Sequence, residues 1–339
     1  MKFVRFLTAS LLLAAAGCAT PATKAASDSP YVPGGYVKVF GDEFNDTRLD
    51  LGKWWTRYIY NKGMLDTLND ERQLFRENGN HVLTGTCLNL TAIRKDHPGQ
   101  PRFQYESGMI RSKVTFKYGY YEIRAKMPGA LGVWPAFWLN SDAGPDGKTS
   151  WPPEIDILEF VNNGKDDRPD MLHIGAVSRP KKGEANPWNG TQVFADPTFK
   201  GKGSGGYYYA PFKFPEAFHL YALLWDTDDT VTWFVDGKKL LTVKYNWVLG
   251  NGKPAPYAHV LLNLSVGGQW AGRHGIEEKL FPQAFEVDYV RVYQKKGQIL
   301  TGEGRIGQDL LYRDEKSAAP VAATATTAAA APLPMPNAK

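Results

Sequence analysis

The chain has 339 residues, with 34 Gly, 10 Trp and 17 Tyr and few helix-type charge repeats, which points to mostly β structure in one large or two ordinary domains. The net charge of +5 is spread along the sequence without a basic run or a basic amphipathic stretch, so neither nucleic acid nor a membrane surface is called for as a partner. The six histidines show neither H-E-x-x-H nor other paired spacing, so no catalytic metal pattern is present.

Lys2 and Arg5, then an apolar run from Phe6 to Ala16 and small residues, read as an export signal too short to persist as a membrane span. Ala15-Ala16-Gly17-Cys18 resembles a bacterial lipobox, with Cys18 the residue to be lipidated; Ala15 stands where Leu is preferred, so cleavage without lipidation is the alternative. Residues 1–18 are therefore expected to be signal, and 19–30, rich in Ala, Pro, Ser and Thr, a tether. With Cys18 lipidated, Cys87 would have no partner and would serve as a small buried hydrophobe in the strand-like run Val82 to Thr91. The folded body is expected over 31–298, an unassigned appendix over 299–316, and a disordered Ala/Pro/Thr tail over 317–339.

Within the body, strand signals recur at Tyr36–Phe40, Gly108–Phe116, Tyr120–Lys126, Val133–Leu139, Tyr221–Trp225, Val231–Val235, Leu240–Lys244, Val260–Val266 and Phe285–Tyr293. The spacing predicts a β-sandwich. Asp236-Gly237 between two of these runs predicts a tight hairpin. The polar stretches 140–153, 162–170 and 197–211 read as long loops, either walls of a cleft or surface excursions.

Glu154-Ile155-Asp156-Ile157-Leu158-Glu159 is the most informative stretch. In a strand Glu154 and Asp156 share one face, and a bulge at Ile157-Leu158 would return Glu159 to it. Three crowded carboxylates are costly unless used. Retaining glycoside hydrolysis uses such a set, with a nucleophile and an acid/base about 5 to 5.5 Å apart. Trp134 and Trp138 share a strand face beside the acids and offer aromatic planes to sugar rings.

These six residues resemble the bulged signature of glycoside hydrolase family 16, the laminarinase, agarase and carrageenase type. The resemblance extends through Phe40 to Asn45, Leu49 to Trp54, Tyr118 to Lys126, Val133 to Leu139, Phe218 to Tyr221, Trp233 to Gly237, Asn263 to Gly268 and Val287 to Tyr293. It implies an all-β, concanavalin A-like jelly roll of two curved antiparallel sheets with substrate in the concave face. It also implies that Glu154 is the nucleophile, Glu159 the acid/base and Asp156 the group that tunes Glu154. Trp270, His173, Asn69 and Glu71 are implied as substrate contacts, together with Trp134 and Trp138. Laminarinases commonly carry an Arg where this chain has Met109; Arg111, two residues on, is the candidate substitute. No cofactor is implied for catalysis, and Glu43 and Asp288 match positions that hold a structural calcium in many relatives.

The leading expectation is an endo-acting retaining β-glycosidase that hydrolyses a β-1,3- or mixed-linkage glucan or a bacterial exopolysaccharide. It would be a monomer, exported and held to the cell envelope, expected at the outer membrane, by its lipid alone. A non-catalytic carbohydrate-binding jelly roll and a transglycosylase using the same residues are the alternatives.

Overall fold

The computed structural model describes residues 28–60, 63–143, 151–177, 193–194, 199–202, 205–249 and 251–305. Signal, lipidation of Cys18, most of the tether and the tail lie outside the described residues. Among the described residues two sheets face each other, one of eleven strands and one of ten, antiparallel except where Gln73–Phe75 runs parallel to Tyr105–Ser107, with a small two-stranded pair (Tyr58–Tyr60 and Gly63–Leu65) beside them. In the ten-stranded sheet the order runs Phe199–Lys202, Gly205–Tyr209, Met171–Val177, Glu154–Glu159, Val133–Ser141, Ala258–Val266, Val114–Phe116, Thr301–Glu303. The acidic strand therefore sits in mid-sheet.

Alternation builds the core. Val133, Phe137 and Leu139 enter it from one sheet while Trp134, Ala136 and Trp138 point the other way. Tyr121, Ile123, Tyr221, Leu223, Trp225, Val231, Trp233, Val290 and Val292 meet them from the eleven-stranded sheet. The Asp236-Gly237 hairpin forms as expected, with φ of 48° and 76° at its two turn residues and Val235 paired to Lys238.

Several segments depart from expectation. The loop read at 197–211 is largely a hairpin, in which Phe199–Lys202 pairs with Gly205–Tyr209 and extends the catalytic sheet. Its glycines masked a strand whose tyrosines supply β propensity. The run Val82 to Thr91 is two strands, His81–Leu83 and Leu88–Arg94, folded back at Gly85 with φ 87°. Cys87, at the turn side of the second of these strands, is fully buried, as expected of a small hydrophobe. The start of the appendix, through Arg305, is also part of the body: Thr301–Glu303 pairs with Val114–Phe116, and Arg305 binds Asp142 through its backbone N–H (2.9 Å) and Nε (3.2 Å). At the other end Asp28, placed in the tether, accepts from the Tyr293 hydroxyl at 3.1 Å.

Candidate active site

The bulge is present, and the register locates it. Asp156 and Leu158 oppose Trp138 and Phe137, two steps against one. On the other side Asp156 and Glu159 oppose Gly175 and His173, three steps against two. One extra residue thus stands against both neighbours. Ile157 and Leu158 are both buried in the core, and packing these two successive apolar side chains on one face shifts the alternation. Glu154 and Glu159 keep partial exposure on the opposite, concave face, with buried Asp156 between them.

Two hydrogen bonds from the opposite side of the core hold this strand. Trp233 Nε1 donates to the Asp156 carbonyl at 2.7 Å. The Tyr245 hydroxyl donates to the Val177 carbonyl at 2.6 Å and accepts from the Glu154 N–H at 3.1 Å, tying the first residue of the acidic strand to its neighbour. Neither residue carries a local sequence signal for the role, because each contact spans more than sixty positions.

Burial and crowding raise the proton affinity of all three acids. Burial lifts Glu154 from 4.5 to about 7, against a hydrogen bond with Trp151 that lowers it. Burial lifts Asp156 well above the carboxylate range, and the charges of Glu154 and Glu159 push it the same way. Burial also raises Glu159 from 4.5 to about 7; His173 and a hydrogen bond from Trp134 oppose this, while Glu154 and Asp167 add to it. The three acids therefore retain shared protons near neutrality, as acid catalysis requires.

Trp134 is half-buried and donates from Nε1 to Glu159 Oε1 at 3.1 Å, so it binds the acid directly. Its ring meets Trp270 edge-on at 4.9 Å, and Trp270 meets His173 at 4.9 Å. His173 faces Glu159 across the strand pair. Trp138 differs from the open stacking plane expected: it is 6% exposed, packed with Tyr58, Phe75, Met109 and Leu261, and its N–H goes to Asn263 at 2.9 Å. Met109 is fully buried in that same cluster.

Arg111 is fully buried too, donating to the Ser141 carbonyl at 3.3 Å, and presents no surface to a substrate in this conformation. It neighbours His259, whose pKa falls from 6.5 to about 4, first through burial and then through the Arg111 charge. Glu71 is buried beneath the strand Ala258–Val266, accepting from Gln73 Nε2 at 2.5 Å and from the Leu68 N–H at 3.4 Å. Burial raises it from 4.5 to about 7. A hydrogen bond between Glu71 and Ser265, then Ser265 to Asn263 (3.1 Å) and Asn263 to Trp138, links this fourth acid to the floor of the concave face. Asn69 is partly buried with φ 49°, and its carbonyl accepts from the Arg102 guanidinium.

The calcium expectation is not confirmed at these residues. Both Glu43 oxygens are engaged by Arg291, at 2.9 and 2.7 Å, and Asp288 Oδ2 is engaged by Arg124 at 2.9 Å. Guanidinium groups already neutralise three of the four carboxylate oxygens at these two residues. Among the described residues no group of three or more His, Cys, Asp or Glu could hold a metal ion.

A family model described as the GH16 domain of β-porphyranases A–D matches residues 36–295. The chain is 30% identical over 305 residues to a β-glucanase of Rhodothermus marinus, covering 85% of this chain and 94% of that protein. It is also 30% identical over 257 residues to a κ-carrageenase of Pseudoalteromonas carrageenovora, covering 68% of this chain and 60% of the relative. Among solved structures, the laminarinase of R. marinus superposes with a TM-score of 0.58 at 27% identity, covering 76% of this chain and 97% of that one.

Proposed function

The chain belongs to glycoside hydrolase family 16, and from that premise we propose an endo-acting, retaining β-glycosidase in which Glu154 is the nucleophile and Glu159 the acid/base. The observation that carries this reading is the bulge, which gathers three carboxylates of raised proton affinity on the concave face. Glu159, protonated and hydrogen-bonded by Trp134, gives its proton to the leaving oxygen as Glu154 attacks the anomeric carbon. Asp156 has the strongest reason of the three to stay protonated; it donates to Glu154 and leaves that group ionised. Glu159, now a carboxylate, takes a proton from water, and the hydroxide equivalent releases the sugar from Glu154 with net retention. A sugar hydroxyl in place of that water would make the reaction a transglycosylation.

The substrate is a β-linked polysaccharide. Relatives named as glucanases, and two endo-1,3-1,4-β-glycanases of Rhizobium meliloti, support a β-1,3- or mixed-linkage glucan. A second reading, a polymer of the porphyran or carrageenan kind, is favoured by the matching family model and by Met109, buried with Tyr58, Phe75 and Trp138. The test is reducing-sugar release from laminarin, mixed-linkage glucan, porphyran, κ-carrageenan and bacterial exopolysaccharides, with Glu154→Gln as control. Wild type is expected to cut one class, and the variant to lose at least ~10³-fold in turnover while still binding. Equal activity in the variant, or an α-anomer as first product by proton NMR, rejects the mechanism.

Export and lipidation at Cys18 belong to the same reading, supported by the charged start, the apolar run and the small residues before Cys18. Labelled palmitate should enter the wild-type chain and not Cys18→Ala.

A further inference from the structure

Asp167 lies in the turn between the acidic strand and Met171–Val177, and it is 5% exposed. Three donors converge on its carboxylate. His173 Nε2 meets Oδ1 at 2.5 Å, while Trp270 Nε1 and Asn163 Nδ2 reach Oδ2 at 2.8 and 2.7 Å. Asn163 in turn accepts the Asp167 N–H on its Oδ1 at 3.0 Å, together with the N–H groups of Lys165 and Asp166. The turn is thus fastened to itself before it fastens anything else.

The two distal partners come from different elements and both frame Glu159. His173 stands opposite Glu159 in the register, and Trp270, from the short helix Gly268–Ala271, touches Trp134, which hydrogen-bonds Glu159. His173 and Trp270 meet edge-on, and Asp167 anchors the polar atom of each.

We propose that Asp167 is a positioning residue for the acid/base: one buried carboxylate holds His173 and Trp270 in the orientation that frames Glu159. The argument rests on the reading of Glu159 as the acid/base. Holding groups in place through buried hydrogen bonds matters because small misplacements of reacting groups cost large factors in rate.

The experiment compares wild type with Asp167→Asn on the polymer identified by the substrate panel, and records ¹⁵N-histidine NMR of both proteins, with His173 assigned from the signals missing in His173→Gln. Turnover is expected to fall ten- to a hundredfold with KM changed less than threefold, and the His173 Nε2 resonance should move to a different tautomer or exchange regime. If Asp167→Asn does not fold, Trp270→Phe removes one donor and keeps a ring, and the same split in kcat and KM is expected at smaller size. Wild-type turnover together with unchanged His173 signals overturns the proposal. The two readings separate cleanly: an active Glu154→Gln rejects the catalytic assignment, while the NMR comparison still decides whether Asp167 holds His173.

Discussion

Replacing Trp233 by Phe isolates its hydrogen bond across the core to the acidic strand. The substitution keeps an aromatic ring in the apolar layer but removes the N–H that reaches the Asp156 carbonyl at 2.7 Å. Removing the donor from a buried carbonyl costs about 1–3 kcal/mol, and the smaller ring adds roughly another 1 kcal/mol of lost packing. The loss of stability should therefore be about 2–4 kcal/mol, read from urea unfolding. The catalytic loss is a separate quantity. Glu154 and Glu159 stand opposite Asn140 and Ala136, four residues apart on the neighbouring strand, so their backbones are roughly 13 Å apart and their side chains must converge over Asp156. If the bulge relaxes by a fraction of an ångström, that convergence is lost, and turnover should fall by ten- to a hundredfold below the unfolding transition. The assay is kcat at a temperature where far-UV circular dichroism shows the variant folded. Stability reduced by the stated amount with wild-type kcat would refute the idea that this bond holds the acid array.

The remaining expectations concern charge and cation binding. A carboxyl whose proton affinity is higher folded than unfolded stabilises the fold below its unfolded value and loses that stabilisation as pH rises through its folded value. For Glu154 and Glu159 the window runs from 4.5 to about 7 and is worth at most about 3 kcal/mol for either acid alone. Glu154→Gln and Glu159→Gln should accordingly raise the melting temperature more at pH 8 than at pH 5; an equal shift at both would contradict the raised affinities. Met109→Arg places a charge in the closed cluster with Tyr58, Phe75 and Trp138 and should cost at least about 2 kcal/mol, measured by thermal melting. A variant as stable as wild type that also cuts laminarin faster would show that this cluster opens readily. Adding calcium or EDTA should leave the melting temperature unchanged, whereas a clear rise with calcium would mean that Arg291 and Arg124 yield Glu43 and Asp288 to the ion.

The elements legible in the sequence were those whose signal is local. Eight of the nine strand runs appear within a few residues of their expected limits, because alternation and turn residues act over neighbouring positions, whereas Gly108–Phe116 is split into Met109–Ser112 and Val114–Phe116. The bulge was legible as well, since Ile157-Leu158 breaks the alternation in plain view. What escaped was long-range or compositional. Trp233, Tyr245 and Asp167 act through partners on other elements, and no spacing rule connects Asp167 to Trp270 across 103 positions. Trp138 was assigned to the correct face, yet its exposure was misjudged because Tyr58 and Phe75 arrive from segments without strong strand patterning. Glu43 and Asp288 were named by resemblance alone, and a sequence does not show the arginines, Arg291 and Arg124, that stand opposite them.

The pairing of Thr301–Glu303 with Val114–Phe116 bears on where this protein can be shortened. A chain ending at Gln298 would strip the last strand from the catalytic sheet and leave an open edge, the kind of surface on which sheets of separate molecules join. It would also remove Arg305 from Asp142, the residue that accepts from or shares a proton with buried His259 at 2.9 Å. Asp142 lies just past the strand Val133–Ser141, which pairs with the acids along their length. Trimming the chain to the matched family region would therefore trade a tidy boundary for a protein prone to self-association, so recombinant forms should run at least through Arg305.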